Sequence, residues 1–184
     1  MITTACQDTK LFVEKNNDSI NNNILLQNSD RNQFSGFETV LFNKQLTNLI
    51  HCPITAKGEY IIPLNVETIG IEAFSQCREI TSILIPEGIK KIGCMAFENC
   101  TGLTTVIIPG SVEEIEFRGF SDCTGLRSIY ILTKSIPVLR KDSQVFHNIN
   151  KKNCILYVLK GTKRKYIKAS QWNEFQKILE IDSL

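Results

Sequence analysis

Ile85-Pro86-Glu87-Gly88-Ile89-Lys90-Lys91-Ile92-Gly93-Cys94-Met95-Ala96-Phe97-Glu98-Asn99-Cys100-Thr101-Gly102-Leu103 is the stretch on which the fold turns, because its residues recur on both sides at one distance. Pro63, Pro86 and Pro109 lie 23 residues apart. The same step relates Val66, Ile89 and Val112; Ile69, Ile92 and Ile115; Ala73, Ala96 and Gly119; and Phe74, Phe97 and Phe120. It also relates Cys77, Cys100 and Cys123; Ile80, Leu103 and Leu126; and Ile83, Val106 and Ile129. A unit this short cannot bury its own apolar face. It must stack on its neighbours, so that each column becomes a ladder of like side chains filling one shared core.

Within a unit, Ile80-Thr81-Ser82-Ile83-Leu84-Ile85 reads as a short strand entered from a turn, whose copies pair in parallel about 4.8 Å apart. The proline after it stops the pairing, having no N–H to give. Val66 to Gly70 reads as a second, shorter strand on another side. Ala73-Phe74 and its copies supply a small residue for close coil contact and a ring for the core, in a tight helical turn. The predicted fold is an α/β solenoid, mostly β, with a parallel sheet, short helical turns and a C-terminal helical cap.

These residues resemble the BspA-type leucine-rich repeats, whose pattern runs I-P-x-x-V-x-x-I-G-x-x-A-F-x-x-C-x-x-L-x-x-I. The copies at 85–107 and 108–130 match it closely, and the likeness covers roughly 38 to 184. Cys52-Pro53 to Tyr60 resembles an opening coil, and Leu156 through Tyr166 to Trp172 resembles the family's closing segment. The resemblance implies a right-handed leucine-rich-repeat solenoid used for adhesion and partner binding, with variable ligands, at a bacterial cell surface. Two departures stand out. Glu116-Phe117 replaces the glycine expected after Ile115. The fourth coil is stretched: Phe146, Ile149 and Ile155 match Phe120, Cys123 and Ile129 at a spacing of 26, with the extra residues expected to bulge out around Pro137.

Residues 1–36 are dominated by Asn and Asp (Asn16-Asn17-Asp18, Asn21-Asn22-Asn23), which resists core formation and reads as a flexible linker. The repeat domain is expected over 37–184: an opening coil 37–62 with Phe37 to Phe42 as first strand, regular repeats 63–130, a stretched coil 131–155 and a cap 156–184. At 184 residues there is no room for a second, catalytic domain. No apolar run approaches the roughly 20 residues that cross a bilayer, since runs such as Thr105 to Pro109 are cut by Pro, Gly or charge. No apolar signal segment follows Met1, so a secretory signal is either absent or already removed. Cys6, within Thr3-Thr4-Ala5-Cys6-Gln7, sits where a trimmed bacterial lipoprotein carries its lipid anchor, although Thr3 is a poor stand-in for the usual Leu. A cell-surface or extracellular location is expected, with the cytoplasm left open.

Chemistry-bearing constellations are sparse. Of seven cysteines, Cys77, Cys100 and Cys123 fall one per coil and point the same way, which suits a ladder of buried free thiols better than disulfides. His51-Cys52 and the Cys94/Cys100 pair lack zinc-ligand spacing, so no metal is expected. His51 and His147 lie near opposite ends of the stack, and no base stands beside a nucleophile. Lys160-Gly161-Thr162-Lys163 lacks the upstream glycine and strand of a phosphate loop. The expectation is therefore no catalytic residue and no cofactor. Glu113-Glu114 fall one coil after Lys90-Lys91 and are expected to form cross-coil charge pairs.

The net charge of +2 implies no nucleic-acid partner, but it is unevenly spread: ten Lys/Arg against four Asp/Glu from Arg140 onward, a balance of +6, against eleven and fifteen before it, a balance of −4. Lys160, Lys163, Arg164, Lys165 and Lys168 are expected on a helix that buries Tyr166, Ile167 and Trp172. They read either as the polar outside of an end cap or as a patch for anionic glycans, lipids or nucleic acid.

The most informative feature is a surface column. With Ile83 and Ile85 inward, residue 84 points out, and that place holds Ile61, Leu84, Ile107 and Tyr130, with Leu156 as a continuation. Beside it run Glu59, Ser82, Thr105 and Ser128. An apolar stripe with a polar flank suits a protein or glycan partner. It equally suits cover by the N-terminal segment or by a second copy, which would make the chain a structural or scaffolding unit that self-associates.

Overall fold

The computed structural model describes residues 11–12, 24–27, 40–140 and 142–182. Strands β1 (Leu11–Phe12), β2 (Ile24–Gln27), β3 (Val40–Asn43) and β4 (Asn48–His51) open the chain. Long and short strands then alternate: β5 (Lys57–Ile61), β6 (Thr68–Ile69), β7 (Glu79–Leu84), β8 (Lys91–Ile92), β9 (Thr105–Ile108), β10 (Glu114–Ile115), β11 (Ser128–Ile131) and β12 (Val138–Leu139). Strand β13 (Ile155–Leu159), helix α1 (Lys163–Lys168), a single 3₁₀ turn at Trp172–Glu174 and β14 (Lys177–Ile181) complete it.

The alternation sorts the strands into two sheets, one per face of a solenoid. The long strands form a six-stranded sheet in the order β14-β13-β11-β9-β7-β5, every pair parallel. The short strands β4-β6-β8-β10-β12 form a parallel sheet of their own, which β3, β2 and β1 extend in antiparallel pairing at one end. Of the expected first strand, Val40 to Phe42 lie in β3 and 37–39 fall outside the described residues. The linker expected over 1–36 also falls outside them, apart from β1 and β2, as does Cys6.

The ladders form as the repeat requires. Phe74 stacks on Phe97 at 5.0 Å between centroids, Phe97 on Phe120 at 4.9 Å and Phe120 on Phe146 at 6.1 Å, with planes 7 to 17° apart. Tyr60 closes this row edge-on at one end and Trp172 closes it at the other. Apart from half-buried Pro63, the repeat columns are buried, so the core is one continuous row of rungs.

The turns between sheets satisfy their backbone groups by an alternation. The N–H groups of Ala73, Ser75 and Cys77 bond back within their own coil to Gly70, Glu72 and Phe74. Those of Glu72, Phe74 and Gln76 reach the carbonyls of Cys94, Ala96 and Glu98 one coil on. The pattern repeats from Met95, Phe97 and Asn99 to Phe117, Gly119 and Ser121, and from Arg118, Phe120 and Asp122 to Ser143, Val145 and His147. The segments expected as helical turns are thus stacked tight turns. Their cost is left-handed backbone at two phases of every unit: Glu72, Met95, Arg118, Gln144 and Gln171, then Gln76, Asn99, Asp122 and Asn148. Glycine does a different job in the ladders at Gly102 and Gly125, where a Cβ would strike the carbonyl oxygens of Arg78 and Thr101 in the coil below.

The thiols occupy a defined place in this scheme. Cys100 Sγ lies 3.0 Å from the Phe74 carbonyl oxygen and Cys123 Sγ 2.9 Å from that of Phe97. Those oxygens already accept Cys77 N–H and Cys100 N–H, so each thiol donates to a second lone pair in the coil beneath. Cys52, Cys77, Cys100, Cys123 and Cys154 are free and buried.

Three expectations need correction. The fourth coil does not bulge at Pro137, which is buried and leads directly into β12. The register steps from Ile108↔Ile131 to Glu114↔Val138 and then to Gly119 and Val145, which both receive a phenylalanine N–H from the coil below. One extra residue is therefore absorbed before Val138, two between Leu139 and Val145, and a fourth between His147 and Ile155, which pairs with Ser128. Ile167 is 50% exposed, not buried: α1 turns only Tyr166 inward, and Trp172 belongs to the following 3₁₀ turn. Leu156 is buried and pairs with Ile129, a spacing of 27, so it belongs to the core and not to the surface stripe.

Asn99 tests the stacked-turn geometry, since it sits at φ 60°. Asn99→Val should lower the unfolding free energy by about 1–3 kcal/mol, the cost of a branched side chain in left-handed backbone, while Asn99→Gly should change it by less than about 1 kcal/mol in denaturant titration.

Candidate functional site

The outward positions of the long-strand sheet form three columns. Register places Ile61 beside Leu84, Leu84 beside Ile107, Ile107 beside Tyr130, Tyr130 beside Tyr157 and Tyr157 beside Leu179. An apolar stripe therefore crosses all six strands. Ile61, Leu84 and Leu179 are 46, 44 and 46% exposed, and Ile107, Tyr130 and Tyr157 are half-buried. Tyr130 and Tyr157 stack at 4.5 Å with planes 7° apart, so each ring turns one face to the other.

One flank carries Glu59, Ser82, Thr105, Ser128, Ile155 and Lys177, again in register. Two of its hydroxyls are tied together: Thr105 Oγ1 and Ser128 Oγ lie 3.0 Å apart. The other flank begins with prolines and ends in half-buried Leu132, Leu159 and Ile181, so the apolar face widens toward β14. Among the described residues, then, the structure places Ile61, Leu84, Ile107 and Tyr130 in the stripe and Glu59, Ser82, Thr105 and Ser128 beside it, but not Leu156, which is buried. Tyr157, Leu179, Leu132, Leu159 and Ile181 were not anticipated.

The basic residues are arranged differently. Arg164, Lys165 and Lys168 lie on the exposed side of α1, and Lys165 Nζ donates to the Lys134 carbonyl at 2.9 Å. Lys160 pairs with Asp182 at 3.4 Å, and Glu180 accepts the Gly161 and Lys163 N–H groups at the start of α1. Acidic partners thus reach Lys160 and the first turn of α1.

On the short-strand sheet, Lys90 meets Glu113 at 3.1 Å and Lys91 meets Glu114 at 3.8 Å, the expected cross-coil pairs. Lys91 bonds more closely to Glu116, at 2.8 Å. Glu116 is the residue that breaks the glycine column, and its side chain turns back onto Lys91 and the Cys94 thiol. Exposed pairs of this kind add little stability individually.

Other chemistry is thin. His51 lies on β4 and His147 in the fourth stack of turns, four coils away. His147 borders a shallow hollow of about 280 Å³ with Asp142, Lys151 and Glu174, where Lys151 and Glu174 pair at 2.8 Å. Burial pushes the Cys123 thiol well up and Cys154 to about 11, which keeps both protonated. No cluster of three His, Cys, Asp or Glu among the described residues is arranged to hold a metal, and no helix there is long and apolar enough to cross a membrane.

Six in-register strands, a shared ladder core and a patterned outer face define a leucine-rich-repeat solenoid, a class whose members are generally non-catalytic binding modules. The family model described as "BspA type Leucine rich repeat region" matches residues 51–163 in six copies. The chain belongs to the BspA-type leucine-rich repeat family. A leucine-rich repeat protein from Eubacterium ventriosum has a similar structure, with 25% identity and a TM-score of 0.53 over 67% of this chain and 32% of that one. The pneumococcal vaccine antigen PcpA shares the fold at 17% identity and a TM-score of 0.51, over 80% of this chain and 47% of that one. The chain thus spans less than half the length of either. No curated protein matches the sequence.

Asp122 offers a pH test of the turn stack. Hydrogen bonds from Ser121 and Asn148, and then the Arg118 charge, hold its carboxyl below the usual carboxylate range. An acid whose pKa is depressed by folding stabilises above its unfolded pKa, and that stability is lost as pH falls through the folded value. Asp122→Asn, which keeps a side chain tolerant of φ 59°, should lower stability by about 1 kcal/mol at pH 7, and the deficit should shrink below about pH 4.

Proposed function

We propose that the chain is a binding module that presents the outer face of its long-strand sheet to a protein partner, in an adhesion role at a bacterial cell surface. The observation that carries this reading is the stripe from Ile61 to Leu179, unbroken across six strands. Apolar side chains left outward at every rung cost solubility and return nothing to the core. A contiguous patch of this kind marks a contact surface.

The chemistry favours protein over glycan. A sugar ring docks on the open face of an aromatic ring. Tyr130 and Tyr157 spend one face on each other, and their outer neighbours in the ladder are Ile107 and Leu179. What remains is an apolar ridge with a hydroxyl margin, the composition of a protein contact core with its rim. The surface location draws on family membership and the two bacterial neighbours.

Self-association through the same stripe is the competing reading, and light scattering separates the two. The wild-type chain should elute as a monomer near its mass of 20.9 kDa. Leu84→Asp and Tyr130→Asp should leave the fold intact by circular dichroism and abolish capture of the protein partner. A stable dimer that both substitutions dissociate would make the chain a scaffolding unit instead.

A further inference from the structure

Resting on that reading of the sheet face, we infer that its occupant is an amphipathic α-helix of the partner protein, laid across the strands with its N-terminal end over Glu59 and its C-terminal end over Lys177. Six rungs separated by about 4.8 Å make a stripe about 24 Å long. Register runs without a shift from Ile61 to Leu179, so every rung contributes one outward residue to the stripe.

A helix offers side chains on one face about every 5.4 Å, one turn per rung. Over five gaps it drifts from the ladder by about 3 Å, within the reach of side-chain rotamers. An extended segment offers same-side residues only about every 6.7 Å and drifts by about 9.5 Å, two rungs out of step.

The long strands spend their backbone groups on each other across β5 to β14, so the face of the sheet presents side chains and no free main-chain partners. A strand lying there would leave its own N–H and C=O groups without protein partners. A helix satisfies them internally and needs from this face only apolar contact along one stripe and polar contact along its edge. The columns supply both: the stripe itself, and beside it the hydroxyls of Ser82, Thr105 and Ser128.

The hydroxyl column begins with Glu59 and ends with Lys177, both exposed. An acid at one end and a base at the other complement the positive N-terminus and negative C-terminus of a helix.

The test is selection on the full chain from a displayed library of random 18-residue peptides, half helix-compatible and half carrying central prolines. Enriched peptides should come from the helix-compatible half, with apolar residues at i, i+3 or i+4 and i+7. Their binding should fall at least tenfold on Leu84→Asp or Tyr130→Asp. Selection on the double variant Glu59→Lys/Lys177→Glu should reverse the end charges of the enriched peptides.

Alternating i, i+2 apolar residues, or equal enrichment of the proline half, in peptides still lost on Leu84→Asp would overturn the helix and leave the face standing. Peptides indifferent to both substitutions, or none above background, would remove the face as well. A dimer through the stripe would replace the partner helix with a second copy.

Discussion

The constraint on which everything else rests is the fixed rise from one coil to the next. Because backbone hydrogen bonds join neighbouring coils in both sheets and in the turns, a side chain is held one strand spacing from its counterpart above and below. A position inside the coil must then be filled by residues of similar size in every copy. Flat rings at about 5 Å do this for phenylalanine, branched aliphatics do it for the strands, and thiols bonded to the carbonyls beneath do it where the turn re-enters the core. The same constraint admits left-handed backbone at two places per coil, since the inter-coil hydrogen bonds gained there offset a local cost of about 1–2 kcal/mol per residue.

Function inherits this geometry. If inward residues form ladders, outward residues must form them too, and what a single strand presents as one exposed Leu84 becomes a stripe when six strands repeat the choice. The two sheets use their outer positions differently. The short-strand side carries alternating charges that pair across coils, Lys90 with Glu113 and Arg140 with Glu114, and so spends them on the protein itself. The long-strand side carries apolar groups and hydroxyls, with full charges at its two ends.

Much of this was legible in the sequence because the repeat states each answer three times. The core columns, the two strand positions, the outward stripe from Ile61 to Tyr130 and the cross-coil charge pairs follow from a period of 23 and alternation along a strand. The readings that failed lie where the period breaks. From Cys154 to Leu159 every residue is apolar, so inside and outside differ by nothing the sequence prints, and a phase one residue off exchanged Leu156 for Tyr157. The structure inserts four extra residues in the fourth coil, three before Val145 and one between His147 and Ile155, by backbone register, which pattern does not encode, and not at Pro137. Ile167 was assigned to the core as an apolar residue on a helix, but six residues turn only Tyr166 inward. Continuing the stripe through Tyr157 and Leu179 needed pairing information. The aromatic partner of Tyr130 was the available hint.

The most direct test of in-register stacking is a pair of double-mutant cycles along the phenylalanine row. Phe74 and Phe97 are in contact, whereas Phe74 and Phe120 are separated by Phe97. Truncating each to Leu, the cycle for Phe74 and Phe97 should give a coupling of about 0.5–1.5 kcal/mol, and that for Phe74 and Phe120 should fall within about 0.5 kcal/mol of zero. Equal couplings for both pairs, or none for either, would contradict a core built of rungs that touch only their neighbours.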